Sequence, residues 1–165
     1  MPASRRWRID GNSHGLDTAA ISGLPPIWAL GAAIVAILVG RNLPPGRFED
    51  PFYWYLGIYL MIAGGAVAIW VAFLFRRKQT AIEPRETPRQ LIVEGPFRIN
   101  RNPIYSGMAL AVFGAAFAGG GPLSFLVAAL FPIVITRRFI LGEERALHEA
   151  FGAEAERYFA RTRRW

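Results

Sequence analysis

Residues 52–75 read FYWYLGIYLMIAGGAVAIWVAFLF. No charged side chain interrupts this run, and it exceeds the ~20 residues that a helix needs to cross a hydrocarbon layer of ~30 Å. Upstream, residues 24–40 (LPPIWALGAAIVAILVG) form another uncharged run. Downstream, 103–118 and 121–136 form a shorter pair joined by Gly119, Gly120, Gly121 and Pro122. A soluble domain of 165 residues can bury one such run as a core helix. Four runs with charges confined between them leave too little polar surface to cover them in water. The sequence therefore predicts an all-α polytopic membrane protein with four transmembrane helices. The last two are expected to make a short hairpin, because about 16 residues rise only about 24 Å. Pro132 is expected to kink the last helix.

Nineteen basic residues stand against 12 acidic ones, and their placement matters more than the net charge of +7. Arg5, Arg6 and Arg8 precede the first run, and Arg76, Arg77, Lys78, Arg85, Arg89, Arg98 and Arg101 crowd the loop 76–102. Further arginines fill the tail from Arg137 to Arg164, whereas the 41–51 connection has only Arg41 and Arg47. The positive-inside rule then puts both termini and the central loop in the cytoplasm. The charge needs no nucleic acid to explain it, and it favours anionic membrane lipids. The absence of cysteine excludes disulfides and thiolate metal sites, and no other metal-ligand pattern replaces them.

The chain divides into a flexible cytoplasmic segment 1–23, a transmembrane hairpin 24–75, and residues 76–165. The last part joins a long loop, the helical hairpin and a cytoplasmic C-terminal helix into one integral domain with 24–75. In the first part, His14 is expected to be solvated, and the apolar run that follows reads as an uncleaved anchor rather than a signal peptide. LPPGRFEDP closes the first hairpin, Phe52 to Tyr55 form an interfacial aromatic belt, and Gly64-Gly65 allow close helix approach.

Two stretches carry chemistry. In EGPFRINRNPIYSG (94–107), Asn102 suits the N-cap and Pro103 the first position of a helix. The exposed amides of that helix start, with Arg98 and Arg101 beside it, favour an anionic group. The preceding loop holds Pro84, Pro88 and Pro96 and a β-favouring Leu91-Ile92-Val93, and a loop of this length between membrane helices suggests function. In the tail, Ile140, Leu147 and Phe151 recur at helical spacing, and Glu143 and Glu144 fall on the same stripe. Neither glutamate has Lys or Arg three or four residues away; Glu144 has only His148. Their partners must be Arg98, Arg101 or a cationic ligand, unless the helix simply lies solvated on the membrane surface.

GPFRINRNPIYSG, followed by GEERALHEAFGAEAERYFARTRRW, resembles the isoprenylcysteine carboxyl methyltransferase and phospholipid methyltransferase superfamily. The resemblance rests on Gly95, Pro96, Phe97, Arg98, Arg101, Asn102, Pro103, Tyr105, Gly107, Glu143, Glu144, Phe151, Gly152 and Tyr158. Upstream, Thr80 to Pro84 and Pro88 look like bacterial members, which implies the inner membrane of a bacterium. The resemblance implies S-adenosylmethionine as methyl donor and a lipophilic small-molecule or lipid acceptor entering from the membrane. On that reading Arg101, Tyr105 and Glu144 serve catalysis. Cofactor binding falls to Gly95, Pro96, Arg98, Arg101, Asn102, Pro103, Tyr105, Gly107, Glu143 and Glu144. A carboxylate acceptor needs no general base, whereas a protonated amine must first lose a proton. Asn102 stands where many members have His, and Ala155 where the tail pattern often has Tyr. Two alternatives remain open: an NADPH-dependent, sterol-reductase-like membrane enzyme, and a non-catalytic membrane binding protein of the same fold. Nothing in the pattern sets an oligomeric state.

Overall fold

Three helices begin at proline, where the missing N–H would have had no partner in any case. They are α1 (Pro25–Asn42), α2 (Pro51–Arg77) and α3 (Pro103–Gly119) in the computed structural model, which describes residues 23–44, 46–77 and 91–165. Asp50 caps α2, its Oδ1 accepting the Phe52 N–H at 2.8 Å. Helix α4 (Ser124–Ile135) passes without a break through a widened π turn, Thr136–Ile140, into α5 (Leu141–Phe151). Gly152 then separates α5 from α6 (Ala153–Arg161). The described residues form helices and no strand, so the β-favouring Leu91-Ile92-Val93 joins no regular element. The expectations for the N-terminal segment, His14, Thr80 to Pro84 and Pro88 lie outside the described residues.

Helix α3 is the axis of the bundle. Eleven of its 17 residues are buried, including Tyr105, Met108 and Val112. It packs against α2, α1 and α4, while α1 also touches α4. The hairpin expected between α1 and α2 is therefore not a packed pair: the two meet only marginally, with α3 between them. The reason lies in the small residues of α2. A Cβ on Gly57 would lie 2.6 Å from the Gly114 carbonyl oxygen, and one on Gly64 would strike the carbonyl oxygen of Gly107. The reciprocal contacts hold at Gly114 and Gly107. Glycines seven apart on antiparallel helices thus let the two backbones touch, the close packing that substitutes for hydrophobic drive in a membrane. Gly65 meets nothing within 4 Å, so only the first of the Gly64-Gly65 pair serves the contact.

Among the described residues, three helices are long and apolar enough to cross a membrane: α1, α2 and the continuous Ser124–Phe151. Helix α3 is shorter, about 25 Å at 1.5 Å per residue. The expected short hairpin is thus short in only one arm. Arg137 and Arg138 end the uncharged run but not the helix, since arginine is a good helix former and both side chains are exposed. Pro132 is accommodated inside the helix, and the π turn follows one turn later, with the Thr136 N–H directed at the Ile133 and Pro132 carbonyls. The expected single C-terminal helix is also corrected. Gly152 adopts φ +47°, ψ −120°, a conformation that L side chains rarely tolerate, and it turns the chain back toward the bundle.

Candidate active site

The site forms at the end of the bundle where α2 finishes at Arg76 and Arg77 and α3 begins. There Gly95–Arg98 makes one 3₁₀ turn, entered through Gly95 at φ +58°. It buries Pro96 and Phe97, the Phe97 ring standing edge-on to Phe75 of α2 at 5.6 Å. Val71, Ile92 and Tyr158 complete this small apolar cluster. The Tyr158 hydroxyl donates to the Phe97 carbonyl at 3.0 Å, docking α6 under the turn. Burial pushes this phenol up to about 12, so it remains a neutral donor at any ordinary pH.

Beyond the turn, the chain runs beside the segment that follows α6. Asn100 and Arg163 form a parallel bridge, and the Arg101 N–H donates to the Arg163 carbonyl at 2.8 Å. Asn102 occupies the N-cap position as the sequence predicts, but its side chain makes no capping bond. Its Nδ2 donates instead to the Arg164 carbonyl at 3.2 Å, because the returning tail brings that acceptor within reach. The Asn102 N–H is taken by Asn100 Oδ1 at 3.1 Å, and Asn100 Nδ2 donates to Ser106 Oγ at 2.9 Å.

Charged groups fill the space between α3 and α5. The Arg164 guanidinium forks onto Glu144, with Nε 3.0 Å from Oε1 and the terminal nitrogen 2.6 Å from Oε2. That carboxylate holds Arg164 above its ordinary pKa. Arg101 lies 3.6 Å from Glu144 Oε1, its guanidinium 4.8 Å from the centroid of the Phe159 ring. Its buried Nε has no hydrogen-bond partner. One helical turn into the bundle, the Tyr105 hydroxyl donates to Glu143 Oε1 at 2.5 Å. Both glutamates open α5 immediately after the π turn, a widening that rotates everything beyond it relative to α4.

Of the predicted site residues, Arg101, Asn102, Tyr105, Glu143 and Glu144 come together. Pro103 sits buried at the start of α3, and Gly95 and Pro96 shape the turn. Gly107 lies at the α2–α3 contact, facing Gly64 rather than the charged groups. Arg98, expected as a partner of the glutamates, is exposed, and the ion pairs of Glu144 among the described residues are to Arg164 and Arg101. Arg164 and Phe159 were not anticipated from the sequence, where the arginines of the tail carried only the topology argument. The available signal was Gly152, which permits a reversal that a single helix forbids.

The model of the phospholipid methyltransferase family matches residues 52–154, more than half of the chain. This protein belongs to that family. Membership accords with the superfamily resemblance and implies methyltransferase activity, and the apolar helices place that activity in a membrane protein. No curated protein and no solved structure matches the chain. The phospholipid methyltransferase match takes in α2, the turn, α3, α4 and α5 with both glutamates, and stops short of Tyr158, Phe159 and Arg164.

Proposed function

We propose that this protein is an S-adenosylmethionine-dependent methyltransferase acting within a membrane on a lipophilic or lipid-like acceptor. One observation carries the reading: guanidinium groups from the loop before α3 and from the tail, the Tyr105 hydroxyl of α3 and the carboxylates of α5, distant in sequence, meet at one end of an apolar bundle in a chain of this family. The basic loop and tail support a cytoplasmic position for that end, and the superfamily resemblance supports a bacterial inner membrane as its setting.

The residues fit such a cofactor. Arg101 carries a buried donor without a partner, suited to a carboxylate. Glu143 engages Tyr105 through one oxygen, leaving the other carboxylate oxygen outside that bond for an ammonium or a ribose hydroxyl. Bound there, S-adenosylmethionine supplies a methyl group on a cationic sulfur, open to in-line displacement by an acceptor lone pair. The protein supplies alignment. Tyr105 fixes the Glu143 carboxylate by hydrogen bond, and Phe159 holds the Arg101 guanidinium over its ring by a cation–π contact. Asn102 ties the loop to the tail, so the two halves hold their spacing. Calorimetry on the folded protein in detergent should show saturable binding of S-adenosylmethionine or S-adenosylhomocysteine. A folded, monodisperse preparation with no affinity for either would end this reading.

A further inference from the structure

We propose that the extended segment Thr162–Trp165 is a strap that closes the site, with Arg164 as the positioning residue. It aims the Glu144 carboxylate and leaves the Arg101 guanidinium open to an anionic group of the ligand. The proposal rests on the cofactor reading above and adds to it a segment beyond the family match.

Successive residues of the strap are tied to different elements. Thr162 Oγ donates back to the Tyr158 carbonyl at 2.8 Å, which ends α6. Arg163 receives the Arg101 N–H through its carbonyl at 2.8 Å, and its own N–H points to the Ile99 carbonyl at 3.5 Å. The Arg164 carbonyl accepts from Asn102 at the start of α3. Trp165 Nε1 donates to Thr136 Oγ at 3.2 Å, in the π turn. The backbone of the strap therefore spans from the loop, past the start of α3, to the π turn that precedes the glutamates.

The side chains explain why this placement matters. One carboxylate cannot receive two guanidinium forks edge-on, and in this structure Arg164 takes both oxygens of Glu144. Arg101 is held at 3.6 Å, a charge contact rather than a hydrogen bond, and keeps an unpartnered buried Nε. Side-chain exposure falls from 39% at Arg164 to 15% at Arg101 and 11% at Glu144. Arg164 thus covers the pair from the solvent side, and the inner guanidinium is the one with a donor to spare. Without Arg164, Arg101 would be drawn onto Glu144, and the donor intended for the ligand would be consumed.

The test compares the full chain with Arg164→Ala, Arg164→Lys and Arg161→Ala in detergent. It uses S-adenosylhomocysteine calorimetry and, without ligand, hydrogen exchange at the Arg101 and Arg163 amides. Arg164→Ala should weaken binding 10- to 100-fold and speed exchange at both amides at least tenfold. Arg164→Lys should recover less than half of the lost binding free energy, because an ammonium cannot bridge both carboxylate oxygens. Arg161→Ala removes the same charge from an exposed position of α6 and should change neither. Wild-type affinity in Arg164→Ala overturns the positioning role, and unchanged exchange overturns the strap. Equal weakening by Arg161→Ala overturns both in favour of net charge. If the wild-type chain itself binds nothing, the cofactor reading falls, and exchange alone decides the strap. Should Arg164→Ala fail to fold, Trp165→Ala, which removes only the tie to Thr136, should weaken binding a few-fold and loosen the same amides. No change in either measurement would overturn the strap.

Discussion

Between α2 and α3, backbones meet because side chains are missing: Gly57 faces Gly114, and Gly64 faces Gly107. At the arginine-rich end, elements meet because side chains reach across, Tyr105 to Glu143, Arg164 to Glu144 and Asn102 to the Arg164 carbonyl. The first contact is apolar and intolerant of added atoms. The second is polar and intolerant of lost ones. The first sets where α3 stands, and the second sets which polar groups surround its start. The two should therefore fail in different ways.

The largest effect is expected at the glycine seam. Gly64→Leu places atoms where the Gly107 carbonyl and the Ala111 amide already lie, and should cost about 3 kcal/mol or more by overpacking. Thermal unfolding in detergent, or loss of a monodisperse peak, reads this directly. A wild-type midpoint would mean that α2 and α3 are not in backbone contact. Next comes Glu144→Gln, which removes the charge that Arg164 and Arg101 share. At about 1.5–3 kcal/mol for hydrogen bonds to a charged group, ligand affinity should fall roughly 10- to 100-fold. The α2–α3 seam should be untouched, so a lost fold would show that the two regions are not separable. Tyr105→Phe deletes a single bond and should lower ligand affinity about tenfold, near 1.4 kcal/mol, with a smaller loss in the unfolding midpoint.

A pH scan probes the tail alone. The raised Tyr158 pKa means that the folded protein holds the phenolic proton more tightly than the unfolded chain does. Its contribution to stability is complete below the ordinary tyrosine value near 10 and is lost as pH climbs to about 12. Alkaline unfolding should therefore be steeper in wild type than in Tyr158→Phe over that window, and parallel curves would count against the buried phenol. The smallest effect is Gly65→Ala. With nothing within 4 Å, the added methyl should be neutral or stabilising by up to about 1 kcal/mol, and a large loss would shift the seam by one residue.

The apolar runs made the helices legible, since uncharged length is a one-dimensional property, and Asn102-Pro103 marked the start of α3 to the residue. The approach of Arg101 to Glu144 was also anticipated, because glutamates on an apolar stripe without local partners need distant ones; Asn102 and Tyr105 were expected there from the family resemblance, and Arg98, expected with them, is exposed instead. Three features were not legible. Which helices touch depends on Gly64 and Gly107 pointing at each other, which no single run reveals. Arg137 and Arg138 resembled a helix end because charge stops a hydropathy run without stopping a hydrogen-bond ladder. The role of Arg164 depends on the reversal at Gly152, and one glycine within a charged, helix-favouring tail is easily read through.

The position of α3 between α1 and α2 also bears on the order in which the chain acquires its shape during synthesis. When the first two helices have entered the bilayer, the Gly57 and Gly64 face of α2 has lipid rather than protein against it, and α1 offers no substitute. Association must wait until residues 103–119 emerge. The strap that covers Glu144 is translated later still, after every helix of the bundle. A nascent chain is thus a membrane protein well before it has a sealed site, and lesions in the tail should yield inserted, assembled and empty-handed protein rather than protein destroyed at the translocon.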